Sequence, residues 1–453
     1  MGITDRENVQ IISGTVNLST AGFGTLLVLG EHARFPERTQ LFAGAGADIL
    51  KGMQDAGFTD KDAEKIAVSN LLGMDLTPQK VMVGRRAVGV AQVDTITVGT
   101  ATAEAVYTYA YKLPTGVTFE VRITAPSGTP SASQIRDLIK LEINNSPLPV
   151  TVTDGGAGEY IVTSDFPGVG FTSTVDGSQS IANTTANTAS AETVAEALDA
   201  CLLENSDFYG VALLNPTKAD VLALLAWCQT RRKLPMGLTS DADCITSATD
   251  DVLSAAQTLS RDGGIFWTDR FWEFPNVALH GNRLSVNADE RSTVYNNVPM
   301  PGITPATITS GERAFLEAKN GFFADVAGGL TVTGEDCKAS SGEWMDVLLG
   351  IDWTTTRLEE ASFQAKVEAS KSGSKIPMTN AGKAIFTNIL RDRFAKGLNT
   401  QLFTDEPAPV INAVDVRTMT SAERATRSLP TITFEFYLAG AINKTSYSGK
   451  LIA

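Results

Sequence analysis

The chain has 453 residues, of which 43% are hydrophobic and 19% charged, and its formal net charge is −14. This composition predicts a folded protein of two or three domains with large apolar cores. The acidic balance argues against binding nucleic acid or an anionic membrane through bulk electrostatics. The sequence has neither a run of about 18 apolar residues nor a signal-peptide pattern. We therefore expect no membrane insertion and folding in a cytosol.

Strand and helix patterns alternate on both sides of a compositionally distinct segment. The pattern comprises the strands TLLVLG, KVMVG, FYGVALL and GIFWTD and amphipathic helices at 60–74 and 217–233. Such alternation is typical of an α/β core, a mixed sheet flanked by helices. Two long helical patterns follow, beginning near residues 342 and 380.

Residues 92–190 lack Cys, Met, Trp and His and are rich in Thr, Val, Ser and Gly. Short strand patterns and the helical pattern SASQIRDLIKLEINN predict an inserted β-rich α+β domain on the outer surface. The segment DGSQSIANTTANTASAE, residues 176–192, is predicted to be a polar linker. The α/β core is then discontinuous, at 23–91 and 191–429.

Candidate catalytic and metal-binding residues are few. His32 and His280 have no second ligand at metal-binding spacing, so core or surface packing is the favoured interpretation. The cysteines form no CxxC motif and are expected to be reduced; they are Cys201, Cys228, Cys244 and Cys337.

Three further motifs also favour structural interpretations. GAGAD at 44–48 lacks the third glycine of a dinucleotide fingerprint and predicts a turn before a helix. The carboxylates of Asp241 and Asp243 fit a helix N-cap better than a calcium loop. FWTDRFWEFPN favours a core edge or an interface over a ligand cleft. We expect no cofactor, no metal and no enzymatic activity.

The segment PTITFEFYLAGAINKTSYSGKLIA, residues 430–453, is predicted to form strands. Ile432, Phe434 and Phe436 alternate with polar residues in a period-2 pattern, and a second strand-like run extends over 443–452. Strand backbone N–H and C=O groups need hydrogen-bond partners. The closing segment therefore requires a partner strand.

Several segments, taken in order, resemble the tail sheath proteins of contractile-tailed bacteriophages. They are VNLSTAGFGTLLVLGEH, FYGVALLNPTKADVLALLAWCQTRRKLPMGLTSD, KIPMTNAGKAIFTNILRDRF and FYLAGAINKTSYSGKLIA. The resemblance spans roughly residues 7–90 and 200–453 and leaves the insertion unmatched. It implies a structural subunit that polymerises around a tail tube and contracts to drive the tube through the host envelope. The expected location is the virion tail, after assembly in the host bacterial cytoplasm.

The resemblance also implies that terminal strands are lent to neighbouring copies by β-augmentation. Residues 1–22 would form an N-terminal arm and residues 430–453 C-terminal strands. The implied subunit-linking residues are Val9, Ile11, Val16, Ile432, Phe434, Phe436, Tyr447 and Leu451. The implied partners are further copies, in hexameric rings stacked into a helical sheath, and the tail tube, baseplate and tail terminator proteins, with no direct contact to nucleic acid.

Charge is unevenly distributed along the chain. Residues 92–190 carry 9 acidic and 4 basic side chains, whereas residues 380–453 carry 6 acidic and 9 basic ones. A basic C-terminal region could face an acidic tube, and the candidate tube contacts are Lys383, Arg391, Arg393 and Lys396. Alternatively, these residues follow the helix dipole and solvate one face.

Two other functional classes stay open. The chain could be a non-contractile virion tube or surface-array protein, or, less in keeping with its motifs, an α/β enzyme whose site has no recognisable pattern.

Overall fold

The computed structural model describes residues 23–113, 118–259 and 263–443. The predicted arm at 1–22 and the predicted linking residues Val9, Ile11, Val16, Tyr447 and Leu451 lie outside them. The chain divides into two compact units. Of the described residues, the larger unit comprises those within Thr25–Ser285 and Asn296–Glu343, and the smaller comprises 23–24, Val286–Tyr295 and 344–443.

The larger unit contains strands β1 Leu26–Glu31, β2 Thr39–Ala43, β3 Lys80–Arg86, β4 Val93–Val98, β5 Val106–Lys112, β6 Thr118–Thr124, β7 Val150–Gly156, β8 Glu159–Ser164, β9 Thr172–Val175, β10 Gln179–Thr185, β11 Gly210–Leu213, β12 Leu234–Thr239, β13 Gly264–Trp267, β14 Ala324–Ala327 and β15 Leu330–Thr333. Its α-helices are α1 Gly46–Asp55, α2 Ala63–Leu72, α3 Ala132–Asn145, α4 Val194–Glu204, α5 Lys218–Arg231, α6 Val252–Ala256, α7 Pro275–Leu284 and α8 Ser310–Ala318. Short 3-10 helices lie at Ala242–Ile245 and Phe271–Glu273.

A six-stranded sheet in the order β13-β12-β11-β1-β3-β2 forms the core of the larger unit. Its strands are parallel except β2, which runs antiparallel to β3. β1 is apolar without alternation because both of its faces are covered. Leu27 and Leu29 pack with residues of α4 and α5, and α2 and α7 also contact β1. The prediction of a mixed α/β fold is confirmed.

Residues 93–185 form two further antiparallel sheets, β10-β4-β8-β7 and β6-β5-β9. The predicted strands and the predicted helix of this region are present, and α3 packs against β7 and β6. The prediction of a linker at 176–192 is wrong over 179–185. These residues form β10, which pairs with β4 from Gln179↔Val98 to Thr185↔Val93. The polar strand is stable there because the backbone of β4 pairs with its N–H and C=O groups.

The two flanks of the 92–190 segment meet in space. Val90 N–H donates to the carbonyl of Thr188 at 2.8 Å, and Thr188 N–H donates back to Val90 at 3.1 Å. This geometry is suited to an insertion that leaves and re-enters a core at one point. The predicted domain boundaries stay predictions, since the two compact units divide the chain at other positions, after residues 24, 285, 295 and 343.

The smaller unit contains α9 Met345–Lys371, α10 Asn380–Asn399, α11 Ser421–Ala425 and strands β16 Phe403–Thr404, β17 Val410–Asn412, β18 Thr433–Glu435 and β19 Tyr437–Leu438. A 3-10 helix lies at Val416–Thr418. The two long helices match the sequence prediction. Thr379 caps α10 by accepting a hydrogen bond from the N–H of Gly382. The strands form two antiparallel pairs, β16 with β19 and β17 with β18.

Candidate assembly surface of the smaller unit

Four phenylalanines fix the closing strands against α10. The ring of Phe436 lies 5.0 Å from Phe394, 5.3 Å from Phe403 and 4.6 Å from Phe434, measured between centroids. Gly397 makes this approach possible, because a Cβ at that position would stand 2.0 Å from the Phe403 ring. Of the predicted linking residues, Phe436 thus anchors the closing segment to the helix, and Phe434 packs on Phe436.

Exposed and half-buried side chains alternate along the closing segment, as the period-2 pattern of its sequence predicts. Ile432, Phe434 and Phe436 are half-buried, while Thr431, Thr433 and Glu435 are exposed. This alternation is that of a strand with one covered face. The predicted alternation of two faces holds for 431–436. It is wrong at Tyr437, which the pattern places on the exposed face but which is half-buried, because it begins β19 and pairs with Thr404 of β16.

The strand pairs have open edges. β18 pairs with β17 alone, through Val410↔Glu435, Ile411↔Phe434 and Asn412↔Thr433. Within residues 23–113, 118–259 and 263–443, no strand pairs with the other edge of either one. A two-stranded sheet is only marginally stable by itself, and an open edge is a template for a strand from another chain. This surface can accept a strand by main-chain hydrogen bonds.

The four predicted tube-contact residues of α10 have different partners. The ammonium of Lys383 donates to the carbonyl of Val414 at 2.9 Å, and Arg391 donates to the Asn388 side chain at 3.0 Å. Arg393 pairs with Asp392 at 2.8 Å, and Lys396 lies 3.4 Å from an Asp289 carboxylate oxygen. Two of the four charges are therefore balanced by a carboxylate of the same unit.

These four side chains are also spread around the helix. At about 100° per residue, Lys383 and Arg391 stand about 80° apart, while Arg393 and Lys396 lie toward the other side. Arg391 is exposed, and the other three are half-buried. The structure thus does not gather them on one face. Their role toward a tube stays a prediction, and Arg391 and Lys383 are the members best placed to meet an acidic partner.

A partly buried charge network that the sequence analysis missed joins α9, α10 and the 286–295 segment. Asp289 accepts from Arg357 at 2.5 Å and from the Trp353 indole at 3.1 Å. Burial raises the pKa of Asp289, but the Arg357 hydrogen bond and the nearby Lys396 charge outweigh it and hold this pKa below its usual value. No sequence signal identifies this network, because Asp289 lies 68 residues from Arg357.

The residues that the sequence offers as candidates for catalysis or metal binding are buried or cap a helix. His32 and His280 are buried, and burial lowers the pKa of each to about 4. The four cysteines are buried and form no disulfide with one another. Asp241 accepts a hydrogen bond from the N–H of Asp243 and so caps a 3-10 helix, as predicted. Among the described residues no group of three or more His, Cys, Asp or Glu side chains is arranged to hold a metal ion.

None of the described helices combines the length and apolar character needed to cross a membrane.

Comparison with known proteins finds similarity in structure but none in sequence. No family model matches the chain, and no curated protein matches it. A sheath tail protein from Listeria innocua is similar with a TM-score of 0.46 and 11% identity, over 86% of this chain and 88% of that one. A sheath tail protein from Desulfitobacterium hafniense is similar with a TM-score of 0.44 and 9% identity, over 89% of this chain and 92% of that one. Identity this low does not by itself assign a function to this chain.

Proposed function

We propose that this chain is the structural subunit of a contractile phage tail sheath. It polymerises around a tail tube and contracts to drive the tube through the host envelope. The observation that carries the proposal is that β17 and β18 pair only with each other, so that each has an unpaired outer edge among the described residues. The sequence that follows β18 is also strand-forming. The ordered sequence segments that resemble sheath proteins support the same function.

The proposed assembly uses further copies of the chain as the principal partner. An incoming strand would add to an open edge of β17 or β18, and the Phe394, Phe403, Phe434 and Phe436 cluster would hold that edge on α10. Main-chain pairing specifies direction and register without a large apolar contact. The copies would form stacked hexameric rings around a tube protein, with baseplate and terminator proteins at the ends.

We predict that replacing residues 445–453 by a Gly/Ser segment of equal length abolishes polymerisation, because such a segment has little tendency to form a strand. The matched control is a different sequence of equal length rich in Val, Thr and Ile, which should still polymerise. Sedimentation and negative-stain microscopy measure the outcome. Rods formed by the Gly/Ser variant would contradict strand donation.

The same images of the unmodified protein distinguish the functional classes. Long hollow rods are expected of a sheath. Thin tubes or flat arrays would instead indicate a non-contractile virion or surface-array protein, and dispersed particles would favour an enzyme.

We predict that the double variant Lys383→Glu/Arg391→Glu weakens co-assembly with the tube but preserves assembly of tube-free sheath. Exposed charge pairs contribute only about 0.2–1 kcal/mol each, but many copies along one tube multiply that contribution. Lys396 is left unchanged because its reversal would disturb Asp289.

The matched control is Lys366→Glu/Lys371→Glu on the exposed end of α9, which makes the same change in net charge. Yield of tube-filled extended sheath at several salt concentrations is the measurement. Equal yields from both double variants would show that this side of α10 does not face the tube.

A further inference from the structure

A cavity of about 260 Å³ lies in the larger unit where the central strands end. Its wall includes Glu31 at the end of β1, Arg86 at the end of β3 and Asn215 just after β11. β1 pairs with β3 on one side and with β11 on the other. The strand order therefore reverses here, and such a crevice at the carboxyl ends of parallel strands is where α/β folds bind ligands.

The rest of the wall is largely apolar. Val88, Phe166, Val169 and Phe274 contribute to it. Phe166 comes from the 92–190 segment and packs edge-to-face on Phe274, with ring centroids 5.6 Å apart. The cavity is thus covered by that segment and suited to a small apolar body with few polar groups.

Both arginines on the wall are already paired. Arg86 makes two hydrogen bonds to Asp220, at 3.0 and 3.1 Å, and lies 3.3 Å from Glu31. Arg34 donates to Asp62 at 2.6 Å. An anionic ligand would therefore have to compete with carboxylates that already bind these guanidinium groups.

Glu64, at the start of α2, has an unsatisfied acceptor on this wall. The residue is 2% exposed, and among the described residues no donor lies within hydrogen-bond reach of its Oε1 atom. That oxygen stands only 1.9 Å from where a Cβ on Gly30 would be, so the glycine leaves room for the carboxyl group. A buried acceptor without a partner is destabilising because it has lost its hydrogen bonds to water, and a ligand that donates to it would restore a hydrogen bond.

We propose that this cavity binds a small organic cation, a primary amine on a short apolar body, whose ammonium group donates to Glu64 Oε1. The charge of the ammonium matches the Glu64 carboxyl group, which is buried on the wall with one oxygen that no described donor reaches, and the apolar body matches the surrounding side chains. This inference does not depend on polymerisation and goes beyond the sheath function.

The charged groups that face Glu64 influence its ionisation, and therefore how the affinity of the cavity for the amine depends on pH. They are Asp62, which precedes the first residue of α2, Arg34 on the loop after β1, and Glu31 at the end of β1. Burial, with smaller contributions from these groups, raises the pKa of Glu64 to about 7. Because an ammonium binds the ionised carboxylate, affinity should increase from pH 6 to pH 8.

The test measures binding of benzylamine and of benzyl alcohol, its neutral counterpart, by calorimetry and by saturation-transfer NMR on the full chain. At pH 8 we expect saturable benzylamine binding at least about tenfold tighter than that of the alcohol. Glu64→Gln should abolish that preference. The matched control, Glu142→Gln on the exposed face of α3, should retain it.

A second variant tests the geometry independently of charge. Gly30→Ala places a methyl group against the Glu64 carboxyl group and should also weaken benzylamine binding, with circular dichroism confirming that the fold is kept. The proposal is overturned if no saturable binding occurs, if the amine and alcohol bind equally, or if Glu64→Gln keeps the preference. Absence of binding would indicate that ordered water satisfies Glu64.

Discussion

Arg86→Met is expected to lower the free energy of unfolding by about 3–5 kcal/mol. The side chain of Arg86 is 4% exposed, and its partners Glu31 and Asp220 are 8% and 15% exposed. Removing the guanidinium leaves two carboxylates in a poorly solvated site, and the carbonyl of Glu192 also loses its 2.8 Å hydrogen bond from Arg86 Nε. Methionine keeps much of the aliphatic volume of arginine. The decrease in the free energy of unfolding is therefore caused mainly by the lost charge and less by altered packing.

Urea denaturation followed by tryptophan fluorescence measures this loss. The matched control is Arg122→Met on β6, where the arginine is 66% exposed and pairs with Glu120. Exposed pairs contribute about 0–1 kcal/mol, so the control should unfold almost as the unmodified protein does. If the free energy of unfolding decreased no more in Arg86→Met than in the control, the ion pairs of Arg86 with Glu31 and Asp220 would not contribute to stability.

Glu64→Gln is expected to stabilise the protein by about 3 kcal/mol at pH 8 and by much less at pH 5. Burial raises the pKa of Glu64 from its ordinary 4.5 to about 7. Between these values the folded state keeps a proton that the unfolded state has released. Stability therefore falls as pH rises from about 4.5 to 7, and the full cost of the buried charge is present above pH 7.

Glutamine has a similar shape and does not ionise, so the variant should lose this part of the pH dependence. The measurement is the difference in unfolding free energy between variant and unmodified protein at pH 5, 6, 7 and 8. Glu142→Gln, at an exposed position, should show no such trend. A difference for Glu64→Gln that stays constant across this range would show that Glu64 ionises with an ordinary pKa.

The local pattern of the sequence determined most of the secondary structure. Residues 26–30 of β1 and all of β11 form continuous apolar runs, and these residues are fully buried in the parallel sheet. The period-2 alternation of 431–436 matches the alternating exposure of those side chains. Asp241 behaves as a helix cap, as its spacing from Asp243 indicates. Such features depend on residues that are close together in the sequence, so the sequence alone predicts them.

Local pattern was misleading where a distant strand supplies the stabilisation. The polar segment 179–185 has the composition of a linker, yet β4 pairs with it across more than 80 residues of chain. Likewise, Lys396 appears in the sequence as part of one basic cluster, but in the structure a carboxylate oxygen of Asp289, far earlier in the chain, lies 3.4 Å from its ammonium group. Hydrogen-bond and charge partners at long range are not encoded in spacing.

Only the tertiary structure decided where the cavity lies and that one oxygen of the Glu64 carboxyl group is buried there without a donor among the described residues. Glu31, Arg86 and Asn215 each follow or end a strand, which is the one sequence signal that could have brought them together. Nothing local indicates that Asp220 pairs with Arg86, 134 residues away, or that Gly30 leaves space for the Glu64 carboxyl group. Burial and pairing set the energy of a charged group, and both are properties of the assembled fold.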